Sequence, residues 1–452
     1  MLPEVKTLHR TNSLIRIPPS QDVPLTKRVR RLLDTEPLRR LASISQLGMV
    51  ALVYPGAKHS RFEHSLGVYH NSLQLLARFD GDSCFENIVS GPMKEALIVA
   101  ALIHDLGHWP FCHPIEDMNL DGIQSHEDRV RNWVLNSDLS TCLDQDWNCT
   151  LDDVLSIITP QSVGSSENQE GLNFLQSCIS GPIDVDKLDY LYRDSLHAGV
   201  PYGQNFDKAR LIASLCIHPE TGKLAIGEKG KTAAEMMVFA RYVMFSEVYW
   251  HHAVRSATAM LQRAVFLLQN RMDLLSSLKL DDSSWIALLV RAAEGSVAEP
   301  LVDGLFGGQR KLYKRAVEFN VLEGEKIHQA IARKPYWWLV ACSEKLSERI
   351  AARTKIAVHA ADLLIDAPPS KLEVDINLDV VHRDSEVRSL RDVSPVASAL
   401  ADSQFDNYVK RVRLFIRNDL LADLNVKLTK TEWAEEILLA CDAVEQEMDS
   451  GK

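Results

Sequence analysis

Residues 97–113 read LIVAALIHDLGHWPFCH. Seven apolar residues, Leu97 to Ile103, run without interruption and stop at His104-Asp105. The run reads as a buried helix, with Ala100 and Ala101 small enough for close packing. Burying a charge without a partner is costly, and pairing or a metal is the usual remedy. An imidazole and a carboxylate at adjacent positions are both common ligands of divalent first-row metals. Such a dipeptide alone is more often a cap or a hydrogen-bonding pair. His108 and His113 follow within the next turns, and packing is a poor explanation for that density of imidazole.

The chain has 452 residues, 46% apolar and 25% charged, as in an ordinary globular protein with room for several domains. A net charge of −11 argues against nucleic acid as the main partner, while a small anion needs only a local cluster of cations. No run of eighteen apolar residues is present, so no membrane span is expected. MLPEVKTLHR lacks the apolar segment of a secretory signal. Eight scattered cysteines form no CxxC, which fits reduced thiols and a cytoplasmic location.

Outward from that stretch, Ser13–Ile17 reads as a short strand. Residues 26–44 read as a basic helix carrying Lys27, Arg28, Arg30, Arg31, Arg39 and Arg40, whose simplest reading is a solvated face. Pro55-Gly56 marks a turn. Leu66, Leu73, Leu76 and Ala77 give a helical stripe over 61–79. Residues 80–92 read as a loop. Ser125 and Asp128 suggest a helix cap, and 184–195 reads as helix. GSSENQEG (164–171) reads as loop, 212–228 as a hairpin turning at Pro219–Gly222, and 232–270 as one long helix. Segments 371–392 and 409–416 read as strands, and 430–448 as the last helix. The fold class expected is mainly α, with small β-hairpin elements and a minor α/β C-terminal region.

Four stretches carry ligand chemistry: Arg61-Phe-Glu-His64, His104-Asp105, His126-Glu127, and Asp184-Val-Asp186-Lys187 with the residues that follow. Two imidazoles and two carboxylates suit Mn, Fe, Co, Ni, Zn or, less naturally, Mg. Further histidines supply groups that titrate near neutral pH. Arg and Lys nearby suit phosphate.

The order H…HD…D resembles the signature of the HD superfamily of metal-dependent phosphohydrolases. The segments QLG…YPGAKHSRFEHSLGVYH, HDLGHWPFCH, SHEDRV, IDVDKLDYLYRDSLHAGV and ARYVMFSEVYWHHAVRSA are each similar to segments of the deoxynucleoside triphosphate triphosphohydrolases. A looser likeness extends to SPVASALADSQFDNYVKRVRLFI, as in the bacterial branch related to the animal enzyme. The resemblance implies an HD-domain helical core over 1–270 and a helical, small α/β region over 271–452.

It also implies roles. His64, His104, Asp105 and Asp186 would ligate one divalent metal. His126, backed by Glu127, would serve acid–base chemistry, with His108 at the scissile α-phosphate. Arg61, His113, Lys187 and Arg241 would contact the triphosphate. Gln46 and Asp194 would read the sugar 3′-hydroxyl, Tyr190 would exclude a ribose 2′-OH, and Tyr249 would lie near the base. The products would be deoxynucleoside and tripolyphosphate. Relatives assemble as homo-oligomers with activating nucleotides between subunits, and a homo-oligomer, dimer or tetramer, is expected here. Asp184 and Asp189 read as capping or pairing groups, and His59 and His197 as supporting ones.

The sequence departs from the family pattern at Trp109, Cys112, Trp250 and His252, which leaves base preference and an activator site open. Other HD phosphohydrolases, acting on monophosphates, cyclic dinucleotides or alarmones, remain as alternatives. So does a nucleotide-binding regulator with weak turnover.

Overall fold

The apolar run forms a buried helix because its sequence leaves it no wet face. Helix Gly91–Ile103 starts with Pro92 in its first turn, where the missing N–H costs nothing. Every side chain from Leu97 to Ile103 has no exposed surface. Each large aliphatic side chain so buried contributes about 1.5–3 kcal/mol. This computed structural model describes residues 1–8, 13–19, 21–159, 169–368, 377–401 and 409–449.

Helices Arg61–Phe79, Leu151–Ile158 and Gln169–Ile179 pack against this one. Helix Arg61–Phe79 is capped by Ser60, whose hydroxyl accepts from the Glu63 amide at 3.3 Å. It lies against both the apolar helix and helix Val185–Ala198. The latter is capped by Asp184, which accepts from the Lys187 amide at 2.7 Å, and it ends at Gly199 in the left-handed region, φ 71°. The caps fix where each helix begins, and hence which turn carries His64 and Asp186.

The chain separates into two compact units. The first comprises residues 1–110, 124–244 and 375–402. It holds these helices, the hairpin Leu14–Ile17/Gln21–Pro24, and a four-stranded sheet. In that sheet, hairpin Leu215–Ile217/Leu224–Gly227 joins hairpin Asp379–Val381/Val387–Ser389 by a parallel pairing of Ile226 with Val380. The second unit comprises residues 111–123, 245–374 and 403–452. Its antiparallel sheet has Val412–Ile416 between Lys314–Phe319 and Leu363–Asp366, and all five residues of the central strand are buried. Helices Tyr336–Thr354 and Lys430–Asp449 pack on one another there. The fold is mainly α with minor β elements, as the sequence implies.

Several local expectations are corrected. The helix expected over 232–270 is broken: Lys231–Met244 gives way to a π-helical stretch Phe245–Tyr249, and a new helix begins at His252. His251 is extended and its imidazole accepts from the Ala253 amide at 3.3 Å, so a histidine caps where periodicity showed no break. The loop expected over 80–92 contains helix Ser83–Ile88, capped by Asp82, too short to show a period. The strand expected over 371–392 is a hairpin over its described part, turning at Ser385 with φ 67°; residues 371–376 lie outside the described residues. So do residues 164–168 of the GSSENQEG loop and 402–408 of the looser likeness. No described helix is long and apolar enough to cross a membrane.

The basic 26–44 segment is not one solvated helix. It divides into Lys27–Leu33 and Glu36–Arg40. Arg28 lies between two buried carboxylates, 2.7 Å from Glu4 and 2.9 Å from Glu95, with Trp147 4.0 Å from its guanidinium. Arg31 pairs with Asp146 at 2.7 Å.

Candidate active site

Three helix termini bring four donors together within the first unit. His64 Nε2 lies 3.0 Å from Asp186 Oδ1 and 3.8 Å from Asp105 Oδ2. His104 Nε2 lies 3.5 Å from Asp105 Oδ1 and 3.9 Å from Asp186 Oδ1. Donor atoms of His64, His104 and Asp105 fall within 4.8 Å of one another. His104 Nε2 is buried and has no hydrogen-bond partner, while its Nδ1 is 3.1 Å from the Ala101 carbonyl. An imidazole anchored through Nδ1, with a lone pair on Nε2 aimed at carboxylates, suits a divalent cation. The set of two imidazoles and two carboxylates therefore fits the group that the sequence resemblance implies.

The electrostatics are those of a crowded polar centre in apolar surroundings. Burial alone would push the His64 imidazolium down. Hydrogen bonds to Asp186 and Asp189 outweigh it and hold the ring up to about 10. Burial likewise opposes ionisation of Asp105, yet His108, Arg61, His104 and His64 hold its carboxyl well below the usual range. Asp186 is held down against burial by its hydrogen bond to His64. A cation entering this centre competes with the His64 proton for Nε2, so occupancy falls as pH falls.

The remaining candidates divide by unit. His108 Nδ1 is 3.2 Å from Asp105 Oδ1, and its ring packs against that of His126 with centroids 3.8 Å apart and planes tilted by 39°. His126 opens helix His126–Val134, capped by Ser125 as expected. Glu127 follows on the exposed side of that first turn. Arg61 donates to Asp105 Oδ2 at 2.7 Å and is almost fully buried. Lys187 Nζ pairs with Asp184 Oδ2 at 2.6 Å, so Asp184 both caps and pairs. Burial lowers the Lys187 ammonium, but Asp184 outweighs this and its pKa is raised, with Tyr190 and Arg241 both acting on it. Burial raises the Tyr190 phenol, opposed by Arg241 and Lys187. These three side chains therefore share one electrostatic neighbourhood, next to Asp186.

Asp194 Oδ1 is 2.9 Å from His59 Nε2. The side-chain carbonyl of Gln46 is buried without a hydrogen-bond partner, open to a hydroxyl donor. His113 and Tyr249 belong to the second unit. His113 is exposed, 3.5 Å from Glu116, and Tyr249 meets the Phe245 ring edge-on at 5.0 Å.

Some participants carried no assigned role in the sequence. Arg40 donates to the His108 carbonyl at 2.9 Å and lies 4.1 Å from the Trp133 ring, holding the turn that bears His108. Arg193 and Glu63 flank Asp189, with Nη1 of Arg193 2.7 Å from Glu63. The i, i+4 spacing of Asp189 and Arg193 was the available signal. Lys208 is desolvated beside them, and burial pushes its ammonium down to about 8.

Comparison with known proteins agrees with this geometry. Residues 61–166 match the HD domain, and residues 206–428 match the HD associated region. The uncharacterized protein MJ1154 of Methanocaldococcus jannaschii is 30% identical over 388 residues, covering 85% of this chain and 75% of that protein. Human deoxynucleoside triphosphate triphosphohydrolase SAMHD1 is 29% identical over 246 residues, 49% of this chain but only 39% of that protein. A hypothetical protein from Aquifex aeolicus superposes with a TM-score of 0.70 at 26% identity, covering 92% of this chain and 100% of that one. With an HD domain whose His-Asp dipeptide ends a buried apolar helix, and an HD associated region after it, the chain belongs to the HD-domain family.

Proposed function

We propose that the protein is a metal-dependent phosphohydrolase that cleaves deoxynucleoside triphosphates at the α-phosphate, releasing deoxynucleoside and tripolyphosphate. The observation that carries this reading is the convergence of His64, His104, Asp105 and Asp186 beside Lys187, Tyr190 and Arg241. The four donors would hold one divalent metal, drawn from Mn, Mg, Zn, Fe, Co and Ni. Such a metal supplies activated water or a polarised phosphoryl oxygen.

The chain's own groups do the rest. Lys187 and Arg241 balance the triphosphate charge, with His113 and Arg61 assigned to the same task, and Asp184 fixes the Lys187 ammonium. The His108–His126 pair, with Glu127 beside it, moves protons at the reacting phosphate and its leaving group. Fixed cations where charge develops stabilise the transition state more than the ground state. Gln46 and Asp194 receive the 3′-hydroxyl. The Tyr190 ring closes the space a 2′-hydroxyl would need, and Tyr249 is assigned to the base. The 29% identity to SAMHD1 over 246 residues supports the substrate class. A homo-oligomer, dimer or tetramer, with an activating nucleotide, is part of the same reading.

The test is direct. Purified protein is incubated with each dNTP, singly and mixed, in Mn²⁺ and Mg²⁺, with Asp186→Ala in parallel. Deoxynucleoside and tripolyphosphate on anion exchange, absent in the variant, are the expected result. Survival of every dNTP in every mixture overturns the substrate assignment.

A further inference from the structure

Behind His64 a chain of buried and half-buried polar contacts leads to Asp194 through Asp189, Arg193, Glu63, His197 and His59, to which the proposed reaction gives no role. His64 Nδ1 is 2.9 Å from Asp189 Oδ2. Both oxygens of Asp189 are clasped by Arg193, with Nε and Nη2 each at 2.8 Å. The remaining arm of Arg193, Nη1, reaches Glu63 Oε1 at 2.7 Å and the Pro18 carbonyl at 3.1 Å. The same Glu63 oxygen is 2.8 Å from His197 Nε2. His197 stacks on His59 with ring centroids 4.3 Å apart and planes 15° from parallel. His59 Nε2 then contacts Asp194 Oδ1 at 2.9 Å. Asp189 and Arg193 are each only 2% exposed.

A second observation shows that the fold makes room for this pair. Gly67 sits in the middle of helix Arg61–Phe79, one turn beyond His64. A methyl group there would stand 1.9 Å from Asp189 Oδ1 and 2.4 Å from Arg193 Nη2. Glycine in a helix interior costs about 1 kcal/mol relative to alanine. A buried ion pair is a poor source of stability, since well-packed apolar residues do as well or better. What a bidentate Arg–carboxylate pair does provide is fixed direction. Asp189 held in this way keeps Oδ2 facing His64 Nδ1, and a bond from Nδ1–H there points Nε2 at Asp105 and Asp186.

We propose that the Asp189–Arg193–Glu63 clasp is a positioning device that sets the affinity of the His64 centre for a divalent metal and, through the His197–His59 stack, holds Asp194 in a fixed relation to it. Arg193 and Glu63 touch neither metal nor substrate; they act through Asp189 and His197. The inference rests on the metal reading above.

The experiment measures Mn²⁺ binding, not turnover. Free Mn²⁺ is read by its EPR signal during titration of wild type, Glu63→Gln, Arg193→Gln, the double variant and Gly67→Ala. Melting in excess EDTA reports the metal-free fold. Removing outer partners of a metal ligand typically costs about 10–100-fold in affinity, and that weakening is expected in each single variant. Groups that act as one unit are non-additive, so the double variant is expected to lose no more than the weaker single. A purely structural clasp would lower the EDTA melting temperature and leave the Mn²⁺ dissociation constant within twofold of wild type; that result overturns the inference. Should Arg193→Gln fail to fold, Glu63→Gln and Gly67→Ala decide by the same criterion. Absence of Mn²⁺ binding by wild type would overturn the metal reading and this inference with it, whereas wild-type binding matched by every variant overturns the clasp alone.

Discussion

A methyl group on Gly107 would lie 1.8 Å from the carbonyl oxygen of His126. The turn after the His-Asp dipeptide thus rests directly on the first residue of helix His126–Val134, and this contact brings the rings of His108 and His126 to 3.8 Å. Gly107→Ala must push the two backbones apart. Catalytic groups displaced by about 1 Å lose about 10²-fold in rate. We expect kcat/KM for dNTP hydrolysis to fall by at least that factor while Mn²⁺ affinity, read by EPR, changes little.

Asp186→Ala removes one of the four converging carboxylate and imidazole donors. Ligand binding stabilises by mass action, about 4 kcal/mol at a thousandfold excess over Kd. Adding Mn²⁺ to wild type should raise the melting temperature, and the rise should disappear in Asp186→Ala. Calorimetric melts with and without metal check this.

Lys208 gives stability a pH dependence of known sign. Burial holds its ammonium down to about 8 in the folded state, from 10.5. Below pH 8 the lysine is charged in both states and the desolvation cost is fully present. The cost is relieved as pH rises from 8 toward 10.5, because the folded state sheds its proton first. Lys208→Met should therefore stabilise at pH 7, on the order of 1 kcal/mol, and its advantage should vanish near pH 10.5. Urea unfolding at the two pH values decides it.

Glu4 behaves oppositely. Burial raises its carboxyl, but hydrogen bonds from Arg28 and Thr26 outweigh this and leave it below its ordinary 4.5. That stability is present above pH 4.5 and is lost as pH falls through the depressed value. The difference in melting temperature between wild type and Glu4→Gln should be largest near neutrality and shrink below pH 4.5.

Thiol reactivity should follow burial. Of the eight cysteines only Cys84 is exposed, and burial pushes the Cys216 thiol up to about 11. The thiolate is the reactive form. A disulfide reagent at pH 8 should modify one thiol rapidly in the native protein and eight in denaturant.

The sequence made the centre legible where chemistry and periodicity agree. The uninterrupted apolar run ending in His104-Asp105 could only be a buried helix with its polar tip at a site. Asp184 and Asp189 pair and cap as their positions suggest. The clasp behind His64 was legible only in the i, i+4 spacing of Asp189 and Arg193; Glu63 and His59 lie far along the chain from Arg193 and His197 and meet them only after the helices pack. The break at Phe245–Tyr249 was hidden for a related reason: its apolar residues keep helical spacing while the backbone adds a residue to the turn. Arg28 looked solvated because nothing local to it is acidic; Glu4 and Glu95 arrive from distant parts of the chain.

The parallel pairing of Ile226 with Val380 means that residues 375–402 supply strands to a unit whose other residues lie before 245. Cutting the chain after residue 270 would strip that partner away and leave Leu224–Gly227 with a naked row of backbone donors and acceptors. Such an edge is a template for any passing strand. An N-terminal fragment containing every donor of the metal centre would thus be prone to aggregate, and the C-terminal residues act as an internal chaperone for the half of the molecule that carries the chemistry.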